Sequence, residues 1–262
     1  MSSKKVLVDQ IGEVARIQLN DPATLNAITA EMVDQLDEAF ERSAASCRAV
    51  VLTSVGRAFS SGANLAGGQS VNDPDGQLDL GLFLEQHINP LIEKLMDLPI
   101  PWISAVRGAA AGVGCSLALA ADLVIASDTA FFLQAFSRVG LVPDGGAAWL
   151  LMRAIGRPRA MELMLLGENL EAPRALEWGL INRMVPDTEL DTAALQLASA
   201  LARGPTKAFS LIRQLGQHAA DGDLRSLLAA ERVAQRTAGQ TRDAMEGITA
   251  FLGKRTATFA GN

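Results

Sequence analysis

Three short apolar runs, each bounded by turn residues, constrain the fold of this chain more than any other feature. They are AVVLTS (49–54), WISAV (102–106) and LVIAS (123–127). Apolar runs of this length that contain β-branched residues predict buried strands. A glycine-rich turn and a helical pattern recur after such strands. The sequence therefore predicts an α/β fold that is built from stacked ββα-like units.

The flanking segments extend this pattern. Alternating residues in VARIQLN (14–20) predict another strand, and the apolar spacing after Thr29 predicts a helix that Thr29 caps. Residues 62–81 are rich in Gly, Asn, Asp and Ser and predict the longest loop. Beyond Glu189 every pattern is helical. We therefore expect a core over residues 1–200 and a helical region over residues 201–262.

Composition excludes several classes of function. The 262 residues are 49% hydrophobic and 20% charged, which is typical of a chain with a sizeable core. A net charge of −6 without a basic stripe argues against nucleic acid as a partner. No stretch is long and apolar enough for a membrane span, and no signal peptide is visible, so we expect a cytoplasmic protein. Two cysteines and two histidines are too few for a metal cluster, and we predict no metal site.

One carboxylate stands out in the segment GLVPDGGAAW (140–149), where Asp144 lies between a proline and two glycines with apolar runs on either side. Asp is a common N-cap residue, so the simpler interpretation is a helix cap. The alternative is a general base in an apolar pocket. The segment alone does not decide between the two.

Two segments of small residues, RAFSSGANL (57–65) and GAAAGVGCS (108–116), could bring backbone N–H groups close to an anion. The structural alternatives are a surface turn for the first and tight helix–strand packing for the second. Cys115 or Ser116 could be a nucleophile, but that requires a histidine within hydrogen-bond reach. A protease or esterase is therefore the weaker hypothesis.

In combination these segments resemble the enoyl-CoA hydratase/isomerase (crotonase) superfamily. LNDPATLNAIT is similar to its N-terminal motif, AFSSGANL to its first oxyanion segment and PWISAVRGAAAGVGCSLALAADLVIAS to its second. GLVPDGGAAWLLMRAIGRPRAMELMLLGENLEAPRALEWGLINRMV resembles the region that follows, and GITAFLGKR the C-terminal helix. The order and spacing of the motifs over nearly the whole chain make the resemblance specific.

The resemblance implies a crotonase-like spiral of ββα units with a C-terminal helical trimerisation region, assembled as a homotrimer or a dimer of trimers. It implies an acyl-CoA thioester as substrate, without a separate cofactor. Carried over by position, the oxyanion donors are the N–H groups of Ala63 and Val113. Residues expected to bind the CoA portion are Leu25, Ala27, Ala63, Asn64 and Leu65, with Phe251 and Lys254 reaching a CoA on a neighbouring subunit.

The chain departs from the hydratase pattern at both catalytic glutamates, whose positions hold Ser116 and Phe136. Asp144 matches the position of an acid in family members that shift double bonds, and the C-terminal half resembles the PaaG-type acyl-CoA isomerases. The resemblance therefore implies an acyl-CoA double-bond isomerase of fatty-acid or aromatic catabolism, with Asp144 as base. We expect Phe136 and Trp149 to keep water from that carboxylate.

Alternatives remain within and outside this chemistry. Enoyl-CoA hydration by a rearranged site and thioester hydrolysis are two of them. A dehalogenase needs a histidine where Asn89 stands, with His87 two residues away. A silent CoA-binding protein that has lost both glutamates is the alternative from another class. Burial raises and a helix start at Gly145 lowers the pKa of Asp144, and the sequence leaves the balance open.

Overall fold

The computed structural model describes residues 4–64, 71–72 and 75–262. Its largest sheet has the strand order β1-β2-β3-β6-β8-β11. β1 is antiparallel to β2, and the other neighbours are parallel. A three-stranded sheet has the order β10-β9-β7, and β4 pairs with β5. The strands are β1 (Val6–Ile11), β2 (Val14–Leu19), β3 (Ala49–Ser54), β4 (Val71–Asn72), β5 (Leu78–Asp79), β6 (Trp102–Val106), β7 (Ala109–Ala111), β8 (Leu123–Ser127), β9 (Phe131–Leu133), β10 (Leu170–Glu171) and β11 (Arg183–Val185).

Helices follow most of the parallel strands and then make up the C-terminal part. They are α1 (Ala30–Ser46), α2 (Gly81–Phe83), α3 (Asn89–Met96), α4 (Val113–Leu119), α5 (Ala147–Leu166), α6 (Ala172–Glu177), α7 (Leu190–Ala202), α8 (Thr206–Asp221), α9 (Leu224–Gly239) and α10 (Arg242–Leu252). A π-helical turn (Leu84–Ile88) joins α2 to α3. α5 is two helices joined at Gly156, whose φ of 75° is not helical.

The central strands β3 and β6 are buried on both faces of the large sheet, and successive side chains of a strand point to opposite faces. In β3, Val50 and Leu52 belong to the main core, together with residues of α1, α3 and α4. Ala49 and Val51 point to the other face, where α7 covers the sheet. Both faces of the central strands are covered, so the strands read as continuous apolar runs.

The predicted strands β2, β3, β6 and β8 are confirmed. So is the cap of α1, since Thr29 accepts a hydrogen bond from the Met32 amide at 3.2 Å. The segment after β6 does not enter its helix directly, because residues 109–111 first form β7. Most of the predicted loop over residues 62–81 lies outside the described residues.

The C-terminal helices α8, α9 and α10 bury few side chains in the single chain. Large apolar residues on them are exposed: Ile212, Leu224, Leu228, Val233, Met245, Ile248, Phe251 and Leu252. α7 by contrast packs on the sheet through Leu190, Ala194, Ala198 and Ala202. The division near residue 200 stays a prediction. Among the described residues, no helix combines the length and apolarity that a bilayer crossing requires.

Candidate active site

Two chain segments run side by side at one end of the sheet, residues 58–63 and residues 107–113. The Phe59 amide donates to the Arg107 carbonyl at 2.8 Å, and the Ala111 amide donates to the Ser60 carbonyl at 2.9 Å. Gly114 lets α4 approach, since a Cβ there would lie 2.5 Å from the Ser60 side chain. Both glycine-rich segments of the sequence therefore meet at one place.

The backbone directs the Ala63 and Val113 amides away from internal partners. On either side of Ala63, the Gly62 carbonyl accepts from Ile28 and the Asn64 amide donates to Ile28, so the N–H of Ala63 points away from this bridge. Val113 is the first residue of α4, where N–H groups have no partner within the helix. Both residues line the same cavity. The pair of sequence-predicted donors is thus brought together.

A buried network that the sequence analysis missed holds the first segment. Asn26 is fully buried with φ of 56°, and its side-chain amide donates to the carbonyls of Val55 and Ala58 at 3.0 and 2.9 Å. Ser60 Oγ donates to the Asn26 carbonyl at 2.8 Å and accepts from the Gly62 amide at 3.1 Å. Asn tolerates a left-handed backbone conformation. The Asn of LNAIT, next to turn residues, is therefore the sequence signal that could have indicated this network.

Asp144 is not the cap of the following helix. α5 begins at Ala147 with Gly146 as N-cap and no side-chain capping bond, so no helix starts at Gly145 to lower the pKa of Asp144. Gly145 and Gly146 have φ of 54° and 78°, and these left-handed residues turn the chain between Asp144 and the helix. The Asp144 main-chain carbonyl accepts from the Ala147 amide at 3.0 Å. The Asp144 side chain is therefore not used by the helix.

Asp144 instead lines a cavity of about 380 Å³. Its wall is mostly apolar: Ser61, Gly62, Ala63, Leu80, Gly81, Phe83, Leu84, Ala111, Gly112, Val113, Ala135, Phe136, Val139, Leu141 and Val142. Asp144 is the one ionisable side chain on this described wall. Its Oδ1 is buried without a hydrogen-bond partner in the described part of the chain. Burial raises the pKa of Asp144 to about 6, so desolvation outweighs the hydrogen bond from its own amide.

Phe136 lines this cavity as expected, but Trp149 does not. Trp149 lines a separate cavity of about 530 Å³ with Asn89, and Gly145 and Gly146 lie on the wall of that cavity. The expectation that Trp149 keeps water from Asp144 is therefore wrong. The position that would hold a dehalogenase histidine is also outside the Asp144 cavity, because Asn89 lines the second one.

Neither buried nucleophile candidate has a histidine beside it. Burial raises the pKa of the Cys115 thiol to about 12, so the thiolate is absent at neutral pH. Ser116 Oγ is bonded to the Asp144 main-chain carbonyl at 2.8 Å. The two histidines interact elsewhere, His87 with Asp34 at 3.5 Å and His218 with Ser226 at 3.0 Å. A histidine-activated hydrolase site does not form here.

The residues expected to bind CoA are spread over two regions. Leu25 and Asn64 are half-buried and Ala27 is buried beside the first glycine-rich segment, where the Ser61 amide donates to the Leu25 carbonyl at 2.9 Å. Leu65 lies outside the described residues. Phe251 is 82% exposed at the end of α10, and Lys254 follows it with φ of 49°. Neither is on the described wall of the Asp144 cavity. Nor do the described residues include a cluster of His, Cys, Asp or Glu arranged to hold a metal ion.

Comparison with known proteins assigns the family. The sequence model of enoyl-CoA hydratase/isomerase matches residues 9–262. This chain belongs to the enoyl-CoA hydratase/isomerase family. It is 45% identical over 251 residues to 1,2-epoxyphenylacetyl-CoA isomerase of Escherichia coli (strain K12), covering 95% of each chain. It is 41% identical over 248 residues, again 95% of each chain, to a probable enoyl-CoA hydratase of Rhodobacter capsulatus.

The fold agrees with this assignment. A crystal structure of an enoyl-CoA hydratase from Polaromonas sp. JS666 superimposes with a TM-score of 0.90 at 34% identity, covering 97% of this chain and 99% of that one. The crotonase-like α/β fold with C-terminal helices that the sequence predicts is therefore confirmed. The relatives include an isomerase and hydratases. Membership of the enoyl-CoA hydratase/isomerase family therefore does not identify the reaction, which has to be inferred from the residues of the site.

Proposed function

We propose that this member of the enoyl-CoA hydratase/isomerase family is an acyl-CoA isomerase with Asp144 as its catalytic base. The observation that carries the proposal is the isolation of this carboxyl. Asp144 lines a mostly apolar cavity, one of its carboxyl oxygens is buried without a partner among the described residues, and its pKa is raised to about 6. At neutral pH most of the carboxyl is ionised, and a base with a pKa near the working pH is efficient.

The proposed reaction moves a double bond from the 3,4 to the 2,3 position of an acyl-CoA. Asp144 removes a proton from C2, and the electron pair of that C–H bond forms a dienolate, whose charge is shared between the thioester oxygen, reached through C1, and C4, reached through the C3–C4 double bond. The N–H groups of Ala63 and Val113 stabilise the charge on that oxygen, and such a donor contributes ~3–4 kcal/mol in comparable sites. Asp144 then returns the proton to C4, so one carboxyl serves both steps.

The residues at the hydratase positions support isomerisation over hydration. Ser116 is fully buried, and its hydroxyl is bonded to a main-chain carbonyl. Phe136 presents a ring to the cavity. Neither side chain can activate water at neutral pH. For the thioester, we propose that Leu25, Ala27, Ala63, Asn64 and Leu65 contact the CoA portion.

The name of the 45% identical relative supplies a second candidate substrate class, an epoxide of an aromatic acyl-CoA. The wall of the cavity supports an uncharged acyl group in either case, since Asp144 is its one ionisable side chain among the described residues. Both candidates need an enolate-stabilising pair of amides and an acid that moves a proton. They differ in the acyl group that is accepted.

A panel of CoA esters tests the proposal. The purified protein is incubated with a 3-enoyl-CoA, a 2-enoyl-CoA and 1,2-epoxyphenylacetyl-CoA, and the products are identified by mass spectrometry in H₂O and D₂O. We expect isomerised product of unchanged mass in H₂O and, in D₂O, deuterium at C2 and C4 from those turnovers in which the Asp144 carboxyl exchanges its proton with solvent before returning it. Asp144→Asn should bind the same esters and lose at least ~10²-fold in rate. Binding of CoA esters without turnover of any would instead identify a silent CoA-binding protein.

A further inference from the structure

Ser116 and Asp144 are joined by a hydrogen bond between elements that are distant in the sequence. Ser116 Oγ lies 2.8 Å from the main-chain carbonyl oxygen of Asp144 and 3.4 Å from that of Gly112. A hydroxyl has one proton to donate, and the shorter bond is the better one. Ser116 is fully buried, so water does not compete for this bond.

Packing on the next residue tightens the same contact. Gly145 has φ of 54°, and a Cβ atom there would lie 2.9 Å from Ser116 Cβ and 3.3 Å from Val113 Cγ2. The loop that carries Asp144 therefore rests directly on α4. The same short helix begins at Val113, whose amide is one proposed oxyanion donor. α4 thus supplies one proposed oxyanion donor and also contacts the loop that carries the proposed base.

We propose that Ser116 is the positioning residue of the base: its hydroxyl holds the Asp144 main chain on α4 and so fixes the carboxylate relative to the Val113 amide. This inference rests on the proposed role of Asp144. Within the described residues, Oδ1 of the carboxyl has no partner, and the hydrogen bond that lowers the pKa of the group comes from its own main chain rather than from a neighbouring side chain. The main chain is therefore the point at which its position can be fixed.

The same contact gives Ser116 a part in the choice of reaction. A glutamate at residue 116 would have to enter the space that Gly145 and the Asp144 carbonyl occupy. Its carboxylate would face the carbonyl oxygen and the Asp144 carboxylate, both of which repel it. The small serine side chain leaves room for the loop that carries Asp144. A glutamate at residue 116, as in the two-glutamate arrangement of a hydratase, would not be compatible with that loop.

The test uses Ser116→Ala with Ser104→Ala as a matched control. Ser104 is also fully buried, and its Oγ donates at 2.6 Å to the carbonyl of Ala118, at the other end of α4. Each variant removes one buried serine–carbonyl hydrogen bond that joins α4 to a neighbouring segment. Both should therefore lower the melting temperature to a similar extent. We expect Ser116→Ala alone to lower kcat, by ~10-fold or more, because a shift of about 1 Å in a reacting group costs up to ~10²-fold.

The pH profile and a double-mutant cycle separate positioning from a general loss of stability. Asp144 is the one ionisable group on the described cavity wall, so the acid limb of kcat/KM reports it, and in Ser116→Ala that limb should move to lower pH as water reaches the carboxyl. In an Asp144→Asn background, Ser116→Ala should change the residual rate by less than ~2-fold. Equal kcat losses in Ser116→Ala and Ser104→Ala, or an unmoved acid limb, would overturn the inference.

Two further results keep the outcomes distinct. If Ser116→Ala does not fold, Ser116→Cys retains a weaker donor of similar size, and we expect a kcat below that of the unmodified protein with the same displaced acid limb. A Ser116→Cys enzyme with an unchanged kcat and profile would contradict the role of the hydroxyl. If Asp144→Asn keeps full activity, the proposed function fails, whereas an inactive Asp144→Asn beside a fully active Ser116→Ala rejects only the positioning role.

Discussion

Gly62 lies so close to Ala111 that a Cβ atom on Gly62 would come within 3.0 Å of the Ala111 carbonyl oxygen. Gly62 also has φ of 95°, a backbone conformation that residues with a Cβ atom rarely adopt. It immediately precedes Ala63, whose amide is a proposed oxyanion donor. The backbone at this position therefore couples the packing of the two glycine-rich segments to the direction of a functional N–H group.

Substitution of Gly62 by alanine should reduce catalysis more than stability. The added methyl group must displace the segment from Ala111, which moves the Ala63 amide, and loss of one oxyanion donor costs ~10²–10³-fold in kcat. Gly12→Ala is the matched control, because Gly12 has φ of 61° but no atom within 4 Å of its would-be Cβ. Steady-state kinetics of both variants check this. Similar kcat values in the two would contradict the role of the Ala63 amide.

The sequence predicts the central architecture well because burial on two faces leaves a strong apolar signal. β3, β6 and β8 are visible as continuous runs, and the end of α5 is marked by Gly167, which has φ of 62°. The small sheet is not predicted, since β7, β9 and β10 are two or three residues long and too short for any periodicity. Their pairing depends on contacts between distant parts of the chain.

The sequence predicts the residues that are proposed to act on the substrate, but not the contacts that hold them in place. Asp144 stands out in its own segment, the family resemblance implies Ala63 and Val113, and the structure places all three on the wall of one cavity. The expectation for Trp149 fails because Gly145 and Gly146, both with positive φ, turn the chain between Asp144 and α5, and Trp149 then lines a different cavity. The bond between Ser116 and the Asp144 carbonyl is also invisible in the sequence, because it joins residues 28 positions apart.

The rate should depend on the ionisation of Asp144. The base must be ionised to accept the C2 proton, and its pKa is raised to about 6. We therefore expect kcat/KM to be constant above this pH and to fall about tenfold per unit below it. Initial rates between pH 4.5 and 8 check the profile, with Asp144→Asn as the control that lacks this limb. An acid limb near the ordinary aspartate value of 3.8 would mean that the carboxyl is solvated in the working enzyme.

The same shift makes a prediction about stability. The pKa of Asp144 is about 6 in the folded chain and near 3.8 when unfolded, so between these values the folded state binds more protons. The free energy of unfolding therefore falls as the pH rises through this window. Asp144→Asn removes the ionised carboxyl and should be more stable than the unmodified protein by ~1–2 kcal/mol at pH 7, with the Asp144-specific part of the difference absent below pH 4. Urea unfolding at pH 4 and 7 measures this, and a difference that is the same at both pH values would contradict it.

Hydration of crotonyl-CoA should be very slow. The family resemblance matches Ser116 and Phe136 to the two glutamates of a hydratase, and neither side chain is an acid or base that activates water at neutral pH. Good enzymes of this kind reach ~10²–10³ per second, and we expect at least ~10³-fold less. The loss of the enoyl absorbance gives the rate, with a known hydratase as the positive control. Turnover comparable to that control would show that another acid replaces the glutamates.

The last prediction concerns assembly. Large apolar residues on α8, α9 and α10 are exposed in the single chain, and exposed apolar patches are typical of interaction surfaces. We expect this region to associate with further copies of the chain as a trimer or a dimer of trimers, which would also bring Phe251 and Lys254 to the CoA of a neighbouring subunit. Light scattering coupled to size-exclusion chromatography measures the mass. A stable monomer at micromolar concentration would contradict the prediction.

A pair of lysine variants tests which surface is used. Ile248 on α10 is 57% exposed and Val8 on the edge strand β1 is 49% exposed, so the single chain tolerates a charge at either place. In the assembly, Ile248→Lys would bury an unpaired charge, which costs several kcal/mol, and the concentration for half-dissociation should rise at least ~10²-fold. Val8→Lys should leave the mass unchanged. If the CoA of one subunit contacts the next, dissociation should raise KM for the acyl-CoA while the Asp144 limb of the pH profile stays in place, because Asp144 and its cavity belong to a single chain.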